Sequence, residues 1–381
     1  MLNPAPFLNP EDFFHNYWQQ KPLYIPQAFP NFNSPLSADE LAGLACEKIV
    51  ESRIVLEQGK TPWELRHGPF KAKDFQKLPP SHWTLLVQAV NHWIPGVSDL
   101  LNPFNFLPRH YLDDIMVSYA VENGGVGAHF DYYDVFILQG TGRRHWRLGD
   151  ICSPQTATRA DTQLGILQEF NTREEFTLEP GDLLYIPQQQ AHWCIALEAG
   201  LSYSIGFRTP SQSELLSGFC NELLSGLDES QRLQVMPNGS ISIPAQLSPE
   251  TLATAQQTLQ NLLEKPQLLL EWFGRLITEP KYPELETEAT HKAPNLDTQL
   301  KKHTFLRHNE SSRFAYYDAG ETIHLFIDGH SEKHPTSMHN FIALLCNQRQ
   351  LACTDLRDAT QNTSCKQLLA SLVKRGVVYF C

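Results

Sequence analysis

Hydrophobic and polar residues alternate with a period of two along the middle of the chain, between residues 113 and 208. Alternation of this kind predicts β-strands, because successive side chains of a strand point to opposite faces. Turn-forming residues, such as those at 140–142 and 180–182, separate the runs. The predicted strands are residues 115–121, 135–138, 145–148, 175–178, 183–186 and 202–207. Many short strands at this spacing predict a β-sandwich or jelly roll.

The first hundred residues predict a mixed α/β lead-in to these strands. Asn9 is placed to cap a helix that begins with Pro10, and residues 37–40 (Ser-Ala-Asp-Glu) form a capping box for a second helix. Residues 54–66, interrupted by a glycine and a proline, predict a hairpin. Residues 83–93 predict another helix.

Helical periodicity replaces the strand pattern after residue 208. Helices are predicted at 211–227, 249–265 and 271–277, followed by an acidic, proline-rich stretch that is typical of a linker. The remaining residues alternate short strands and helices in a module of winged-helix size. The predicted parts are a first domain at 1–208 with its core barrel at 100–208, a helical segment at 209–278, a linker at 279–294 and a C-terminal domain at 295–381.

The composition is that of a globular protein, with 41% hydrophobic and 19% charged residues. No run approaches the roughly 20 apolar residues that a membrane span needs, and the N-terminus lacks the pattern of a signal peptide. Eight scattered cysteines without a C-x-x-C pair favour buried free thiols over a zinc site or disulfides. These features predict a cytoplasmic protein that does not associate with membranes.

The formal net charge of −12 argues against binding of naked nucleic acid, which requires neutralisation of phosphates by basic residues. An acidic surface suits a basic substrate, although acidic surfaces also simply keep proteins in solution. The charge alone therefore predicts no direct contact with nucleic acid and leaves the partner open.

The candidate chemistry lies in His129-Phe-Asp131. On an extended segment, side chains two residues apart point to the same side, so an imidazole and a carboxylate converge on one ion. His192 would complete a 2-His-1-carboxylate triad, which leaves iron positions open for a co-substrate and oxygen. The same tripeptide pattern recurs at His308 and His330. We interpret those two as surface histidines, because neither has a comparable partner.

The context of His192 favours a metal site. A Pro-Gly-Asp turn at 180–182 leads into an apolar strand that ends at Pro187, and His192 begins the returning segment. In an antiparallel two-sheet fold this order places His192 at one end of the barrel, where it can face the first pair of ligands. Gly124, Gly125 and Gly127 give the approach to His129 a flexible backbone.

Three segments carry a resemblance to a known family: HFDYYDVFILQGTGRRHWRLGD (129–150), EPGDLLYIPQQQAHW (179–193) and LSYSIGFR (201–208). They resemble the JmjC branch of the cupin oxygenases. More narrowly, the chain resembles the bacterial ribosomal oxygenases that 3-hydroxylate an arginine of a large-subunit ribosomal protein. Further similarity lies in SRIV (52–55), HGPF (67–70), LLVQAVNHW (85–93) and SELLSGF (213–219), and becomes weaker after about residue 230.

The resemblance implies an α+β fold. Its core is a double-stranded β-helix of the JmjC (cupin) type, followed by a helical dimerisation segment and a C-terminal winged-helix-like domain. It implies Fe(II) as the metal, 2-oxoglutarate as the co-substrate and a homodimer. No catalytic residue is expected beyond the three metal ligands.

The distal carboxylate of 2-oxoglutarate needs a cation, and two adjacent arginines follow the first ligand pair. A guanidinium grips a carboxylate through two hydrogen bonds, which suits this role. The family's arginine falls on Arg144, so Arg143 would face the other way; from the residues alone, both could lie on a solvated strand face. Ser118 occupies the family's hydroxyl position, and Ser204 is a second candidate on the returning strand.

Candidate contacts to a substrate arginine lie on the strand that carries Ser118. Asp114, Met116 and Ser118 share one face by the period of two, so Asp114 could pair with a guanidinium at the rim of the pocket. Tyr133, two residues beyond Asp131, could pack over it. The alternative remains open that Asp114 caps a turn and Tyr133 fills the core.

The predicted function is hydroxylation of an arginine side chain, at C-3, in a large-subunit ribosomal protein. One alternative is a JmjC-type lysine demethylase, which shares iron and co-substrate but releases formaldehyde. Another is a cupin metalloenzyme without 2-oxoglutarate, for which Arg144 would have no purpose. A third is a DNA-binding scaffold with an inert cupin barrel, which the acidic charge and the complete ligand set oppose.

Overall fold

The fold of the chain is taken from a computed structural model, which describes residues 8–233, 245, 247–282 and 295–381. The chain divides into two compact units, Met1–Thr209 and Pro210–Cys381. Most of the predicted linker, residues 283–294, lies outside the described residues. Each unit is therefore considered by itself.

Unit 1 is built mainly of strands. Its helices are α1 (Pro10–Asn16), α2 (Ala38–Leu44), α3 (Ala72–Phe75) and α4 (Pro95–Ser98), with short 3-10 helices at Val90–His92, Asp99–Phe104 and Arg109–Tyr111. Its strands are β1 (Leu23–Ile25), β2 (Ser52–Gln58), β3 (Pro62–His67), β4 (Trp83–Val87), β5 (Leu112–Ala120), β6 (Asp134–Gln139), β7 (Arg144–Ile151), β8 (Glu174–Leu178), β9 (Leu183–Ile186), β10 (Gln190–Ala196) and β11 (Gly200–Phe207).

These strands form two sheets that pack face to face. The larger sheet has the order β1-β9-β6-β11-β5-β4-β2-β3, and the smaller has the order β10-β7-β8. Every neighbouring pair is antiparallel. Apolar side chains from both inner faces, including Ile137 and Leu184 of one sheet and Trp146 and Leu148 of the other, share one buried cluster. This arrangement confirms the predicted jelly roll.

The outer face of the larger sheet is covered by the N-terminal residues. Phe13 of α1 is fully buried and packs against Phe136 and Tyr185, with ring centroids 5.6 and 4.9 Å apart. The predicted caps are confirmed: the Asn9 side chain accepts hydrogen bonds at the start of α1, and a capping box precedes α2. The predicted hairpin is confirmed as β2 and β3. The outer face of the larger sheet is thus covered, and its inner face packs against the smaller sheet.

The helix predicted at residues 83–93 is wrong. Residues Trp83–Val87 form the strand β4, paired with β2 on one side and β5 on the other, and a 3-10 turn follows at Val90–His92. All five residues of β4 are buried, because the strand is central in the sheet and both of its faces are covered. A continuous apolar run of this length does not separate a buried strand from a helix.

Unit 2 begins with three helices and continues as an α/β module. Its helices are α5 (Gln212–Ser225), α6 (Pro249–Leu263), α7 (Pro266–Thr278), α8 (Leu296–Lys302), α9 (His339–Asn347), α10 (Cys353–Ala359) and α11 (Thr363–Lys374), with a 3-10 turn at Thr336–Met338. Its strands are β12 (Phe305–His308), β13 (Phe314–Asp318), β14 (Thr322–Ile327), β15 (His330–Pro335), β16 (Gln350–Ala352) and β17 (Val378–Phe380). The sheets β16-β12-β17 and β13-β14-β15 are each antiparallel.

The structure corrects one of the two surface histidines predicted in unit 2. His308 is only 4% exposed and its ring stacks on Phe314 with centroids 4.0 Å apart. It is buried because β12 is the middle strand of its sheet. His330 is exposed, as predicted. Among the described residues, no helix is both long enough and apolar enough to cross a lipid bilayer.

Candidate metal and co-substrate site

Three side chains in unit 1 converge at one end of the barrel. His129, Asp131 and His192 each offer one ligand atom, and these atoms all lie within 4.8 Å of one another. His192 Nε2 is 3.8 Å from Asp131 Oδ2, and the two imidazole centroids are 4.3 Å apart. No other such cluster of His, Cys, Asp or Glu occurs among the described residues. Two imidazoles and one carboxylate form the donor set of a facial triad.

The backbone holds these ligands in place. His129 N donates to His192 O at 3.0 Å, and His192 N donates to His129 O at 2.8 Å, so the two histidines form a direct antiparallel pair. Gln189 N donates to Asp131 O at 2.6 Å. The segments on either side of the site are therefore joined through their main chains at the ligands themselves.

Both imidazoles present the same nitrogen to the site. His129 Nδ1 lies 3.0 Å from Gly127 O, and His192 Nδ1 lies 2.9 Å from Gln190 O. Since a carbonyl only accepts, each Nδ1 carries the proton and each Nε2 keeps its lone pair for a metal. Burial lowers the pKa of His192, and the nearby His129 lowers it further, which keeps this imidazole neutral. The residues fit a divalent ion.

Arg144 supplies an unbalanced positive charge beside the triad. Its side chain is buried, and its guanidinium donates to Ser118 Oγ at 2.8 Å, Ser118 O at 3.0 Å and Gly200 O at 3.1 Å. Its Nε has no hydrogen-bond partner, and no carboxylate in the described chain pairs with it. Burial lowers the pKa of Arg144, with the neighbouring Cys194 opposing the shift, but a guanidinium stays charged in proteins. A buried cation of this kind fits an anionic ligand.

The neighbours of Arg144 differ in their distance from it. Ser118 contacts it directly, whereas Ser204 lines the cavity opposite Met116, two residue pairs further along β5 and β11. Ser202 lies opposite Ser118. Arg143 points outward and pairs with Glu198 at 2.9 Å, with both side chains half-exposed. The two adjacent arginines thus have opposite orientations.

These groups line one cavity of about 650 Å³. The candidate residues for binding the co-substrate lie at the end near Arg144, and the three candidate metal ligands lie beside them. Along β5, Ser118, Met116 and Asp114 all line the cavity, so Asp114 marks the opposite, polar end. Tyr133 lines it too, and burial together with the charges of Asp131 and Asp114 raises the pKa of its hydroxyl.

Several cavity residues were missed by sequence reasoning. Trp146 lies on β7 two residues beyond Arg144, and its buried Nε1 has no hydrogen-bond partner. Cys194 follows His192 by two residues, and Gln88, directly after β4, lies at the polar end. The period of two could have found Trp146 and Cys194, because both share a face with a predicted site residue. Gln88 was missed because the sequence analysis placed it in a helix at residues 83–93.

A jelly roll that places two histidines, an aspartate and a buried arginine around one cavity defines a metal-dependent oxygenase of the cupin class. The comparisons with known proteins specify the class further. The JmjC domain family matches residues 99–215, and the ROXA-like winged helix family matches residues 257–379.

Over its whole length the chain is similar to the ribosomal protein uL16 3-hydroxylase of Escherichia coli K12, with 35% identity over 98% of each chain. A probable ribosomal oxygenase of Haemophilus influenzae is 35% identical over 69% of this chain and 64% of its own. The structure of the E. coli ribosomal oxygenase YcfD in complex with cobalt and 2-oxoglutarate covers 98% of both chains, with a TM-score of 0.83 and 34% identity. The chain belongs to the JmjC family of bacterial ribosomal oxygenases.

Proposed function

We propose that the protein is an Fe(II)- and 2-oxoglutarate-dependent oxygenase that hydroxylates an arginine side chain, at C-3, in the large-subunit ribosomal protein uL16. The observation that carries the proposal is the order of groups along one cavity. A buried cation lies at one end, the three metal-ligand candidates lie beside it, and a buried carboxylate lies at the other end. The uL16 substrate is that named for the E. coli relative.

In this proposal His129, Asp131 and His192 hold the iron, and Arg144 with Ser118 holds the distal carboxylate of 2-oxoglutarate. Ser204 would contact the co-substrate from β11. The iron and its co-substrate supply the activation of oxygen that inserts a hydroxyl group into a C–H bond. The chain contributes neutral imidazoles with their Nε2 atoms free, a fixed guanidinium and a largely apolar wall that limits water.

The substrate end is assigned to Asp114, Tyr133 and Met116. Asp114 is 3% exposed and lines the cavity, and a carboxylate in such a position attracts a cationic group that enters the cavity. A substrate guanidinium at Asp114 would place the aliphatic part of the arginine along Met116, toward the metal ligands. Tyr133 would cover the guanidinium with its ring. Anchoring the far end of the side chain leaves an internal carbon as the target.

The test is mass spectrometry of a uL16 peptide that contains the target arginine, incubated with the protein, iron and 2-oxoglutarate. We expect a gain of one oxygen on that arginine and equimolar succinate. Asp114→Asn should reduce peptide hydroxylation far more than succinate formed without peptide, because breaking a desolvated ion pair from one side costs roughly 3–5 kcal/mol. Formaldehyde release from a methylated peptide, without oxygen gain on arginine, would contradict the proposal in favour of demethylation.

We further propose that the helical segment 209–278 joins two copies of the chain, with the catalytic domain at 1–208, the linker at 279–294 and the winged-helix-like domain at 295–381. The support lies in α6, which has no buried residue. Leu252, Leu259 and Leu263 are 57%, 63% and 45% exposed, and their spacing places them on one face. Helix α5 adds Leu216 and Leu224, at 60% and 63%.

Exposed apolar stripes of this kind mark an interaction surface. Light scattering at micromolar concentration should give twice the mass of the chain, and Leu259→Lys should reduce it to the mass of one chain. A single-chain mass for the unmodified protein would contradict the dimer. The ribosomal substrate places the activity in the cytoplasm, and no direct binding of nucleic acid is required by the proposal.

A further inference from the structure

The polar end of the cavity contains a contact between Gln88 and Asp114. Gln88 Nε2 donates to Asp114 Oδ1 at 3.0 Å and to Oδ2 at 2.8 Å. One amide group thus contacts both oxygens of the carboxylate. Gln88 is half-buried and directly follows β4, outside the strands that carry the metal-ligand candidates and Arg144.

The backbone around Gln88 is fixed to the neighbouring strands. Gln88 N donates to Glu51 O at 2.9 Å, and the next residue, Ala89, turns the chain with a φ of 51°. Asn91 Oδ1 then accepts a hydrogen bond from Ile115 N at 2.7 Å, directly after Asp114. The segment that carries Gln88 is therefore attached to the strand that carries Asp114, so the two side chains keep their relative position.

The side-chain oxygen of Gln88, Oε1, faces no donor among the described residues. The side-chain carbonyl of Gln88 accepts no hydrogen bond from the part of the chain that the structure describes, while the residue lines the cavity. The orientation of the amide is fixed, because its carbonyl would repel the carboxylate if it were turned toward it. The free carbonyl is thus a second acceptor beside Asp114.

Two acceptors side by side suit a planar guanidinium better than an ammonium. A guanidinium has five N–H donors in a fixed plane, and a carboxylate satisfies two of them through a fork. A carbonyl beside the carboxylate can take a third. The lysine ammonium is a compact point charge and does not span a set of acceptors in one plane.

We propose that Gln88 is a specificity-determining residue, which orients the Asp114 carboxylate with its N–H groups and accepts an N–H of the substrate guanidinium with its carbonyl. This inference rests on the proposed arginine hydroxylation. It assigns the preference for arginine to two residues, one at the end of β4 and one on β5, where Asp114 alone would bind any cation.

The test compares Gln88→Met with the unmodified protein on two uL16 peptides, one with the target arginine and one with lysine at that position. Methionine keeps the length of glutamine without its polar atoms. Gln155→Met is the matched control, since Gln155 is an exposed glutamine of the same unit that does not line the cavity. Peptide kcat/KM is measured by oxygen gain, and the KM for 2-oxoglutarate is measured alongside. If Gln88→Met does not fold, Gln88→Leu is compared with the unmodified protein on the same two peptides.

We expect Gln88→Met to lower kcat/KM for the arginine peptide by about 10-fold, the effect of one hydrogen bond to a charged group. Turnover of the lysine peptide should change less than 3-fold, so the preference for arginine narrows, and the KM for 2-oxoglutarate should stay within 2-fold. Equal losses on both peptides, or a loss shared by Gln155→Met, would overturn the role of Gln88. If the unmodified protein adds no oxygen to the arginine peptide, the proposed function fails, and this inference fails with it.

Discussion

Replacement of Arg144 by methionine is expected to remove the binding of 2-oxoglutarate selectively. Methionine fills much of the same space, so the change removes the charge and the donors without leaving a large cavity. Hydrogen bonds to a charged group contribute roughly 1.5–3 kcal/mol, which corresponds to about a 10- to 150-fold loss of affinity. The larger value is expected here, because Arg144 is 5% exposed and solvent does not replace the lost donors.

The assay is thermal or urea unfolding of protein loaded with cobalt, with and without 2-oxoglutarate. At a co-substrate concentration 100 times its Kd, binding stabilises the unmodified protein by about 2.7 kcal/mol. A 100-fold weaker Kd reduces that stabilisation to about 0.4 kcal/mol at the same concentration. Each variant is compared only with itself, since the loss of Arg144 also removes the hydrogen bonds to Ser118 and Gly200.

The matched control is Arg143→Met. This neighbour pairs with Glu198 through half-exposed side chains, a type of contact that contributes about 0–1 kcal/mol to stability. Its variant should keep the full stabilisation by 2-oxoglutarate. In Arg144→Lys the stabilisation by 2-oxoglutarate should be intermediate, because lysine keeps the positive charge but cannot donate two parallel hydrogen bonds to a carboxylate. A co-substrate effect that is lost in Arg143→Met and retained in Arg144→Met would refute the assignment of the carboxylate to Arg144.

Three further predictions concern the site and its frame. His129→Ala or His192→Ala should abolish succinate formation in saturating Fe(II) while circular dichroism stays unchanged, and near-normal turnover would rule out the assigned ligands. Burial raises the pKa of Asp134, so the folded state binds the carboxyl proton more tightly than the unfolded state does. The free energy of unfolding should therefore fall as pH rises through the raised pKa. Urea unfolding followed from about pH 4 to 7 should show this fall in the unmodified protein and not in Asp134→Asn. Gln189 has a φ of 64°, so Gln189→Gly should be about 1 kcal/mol more stable toward urea than Gln189→Ala, and equal stability of the two would contradict strain at this position.

The orientation of the site residues on β5 and β7 could be predicted from the period of a strand. Along β5 and β7 the residues that point into the barrel alternate with others, so the period of two separates Arg144 from Arg143 and aligns Asp114 with Ser118. The spacing of Asp131 from His129 follows the same rule. Along β7 the burial follows the same period, since buried and half-buried residues alternate from Arg144 to Arg147.

The position of Gln88 could not be predicted for the opposite reason. Strand β4 is buried on both faces, so its five residues carry no alternation, and their apolar run fits a helix equally well. Its pairing with β2 and β5 joins residues that are between 27 and 36 positions apart in the sequence. The burial of His308 was missed similarly, because it results from the central place of β12 in its sheet and not from the residues around it.

The reciprocal hydrogen bonds between His129 and His192 bear on how the protein acquires its metal. These bonds join main-chain atoms and use no ring nitrogen of either histidine, so we expect them to set the separation of the two candidate ligands independently of an ion. Such a site takes whichever divalent ion is most available, and copper or zinc would outcompete iron at equal concentrations. The amide protons of both histidines should therefore exchange with deuterium at rates that hardly change when the metal is added.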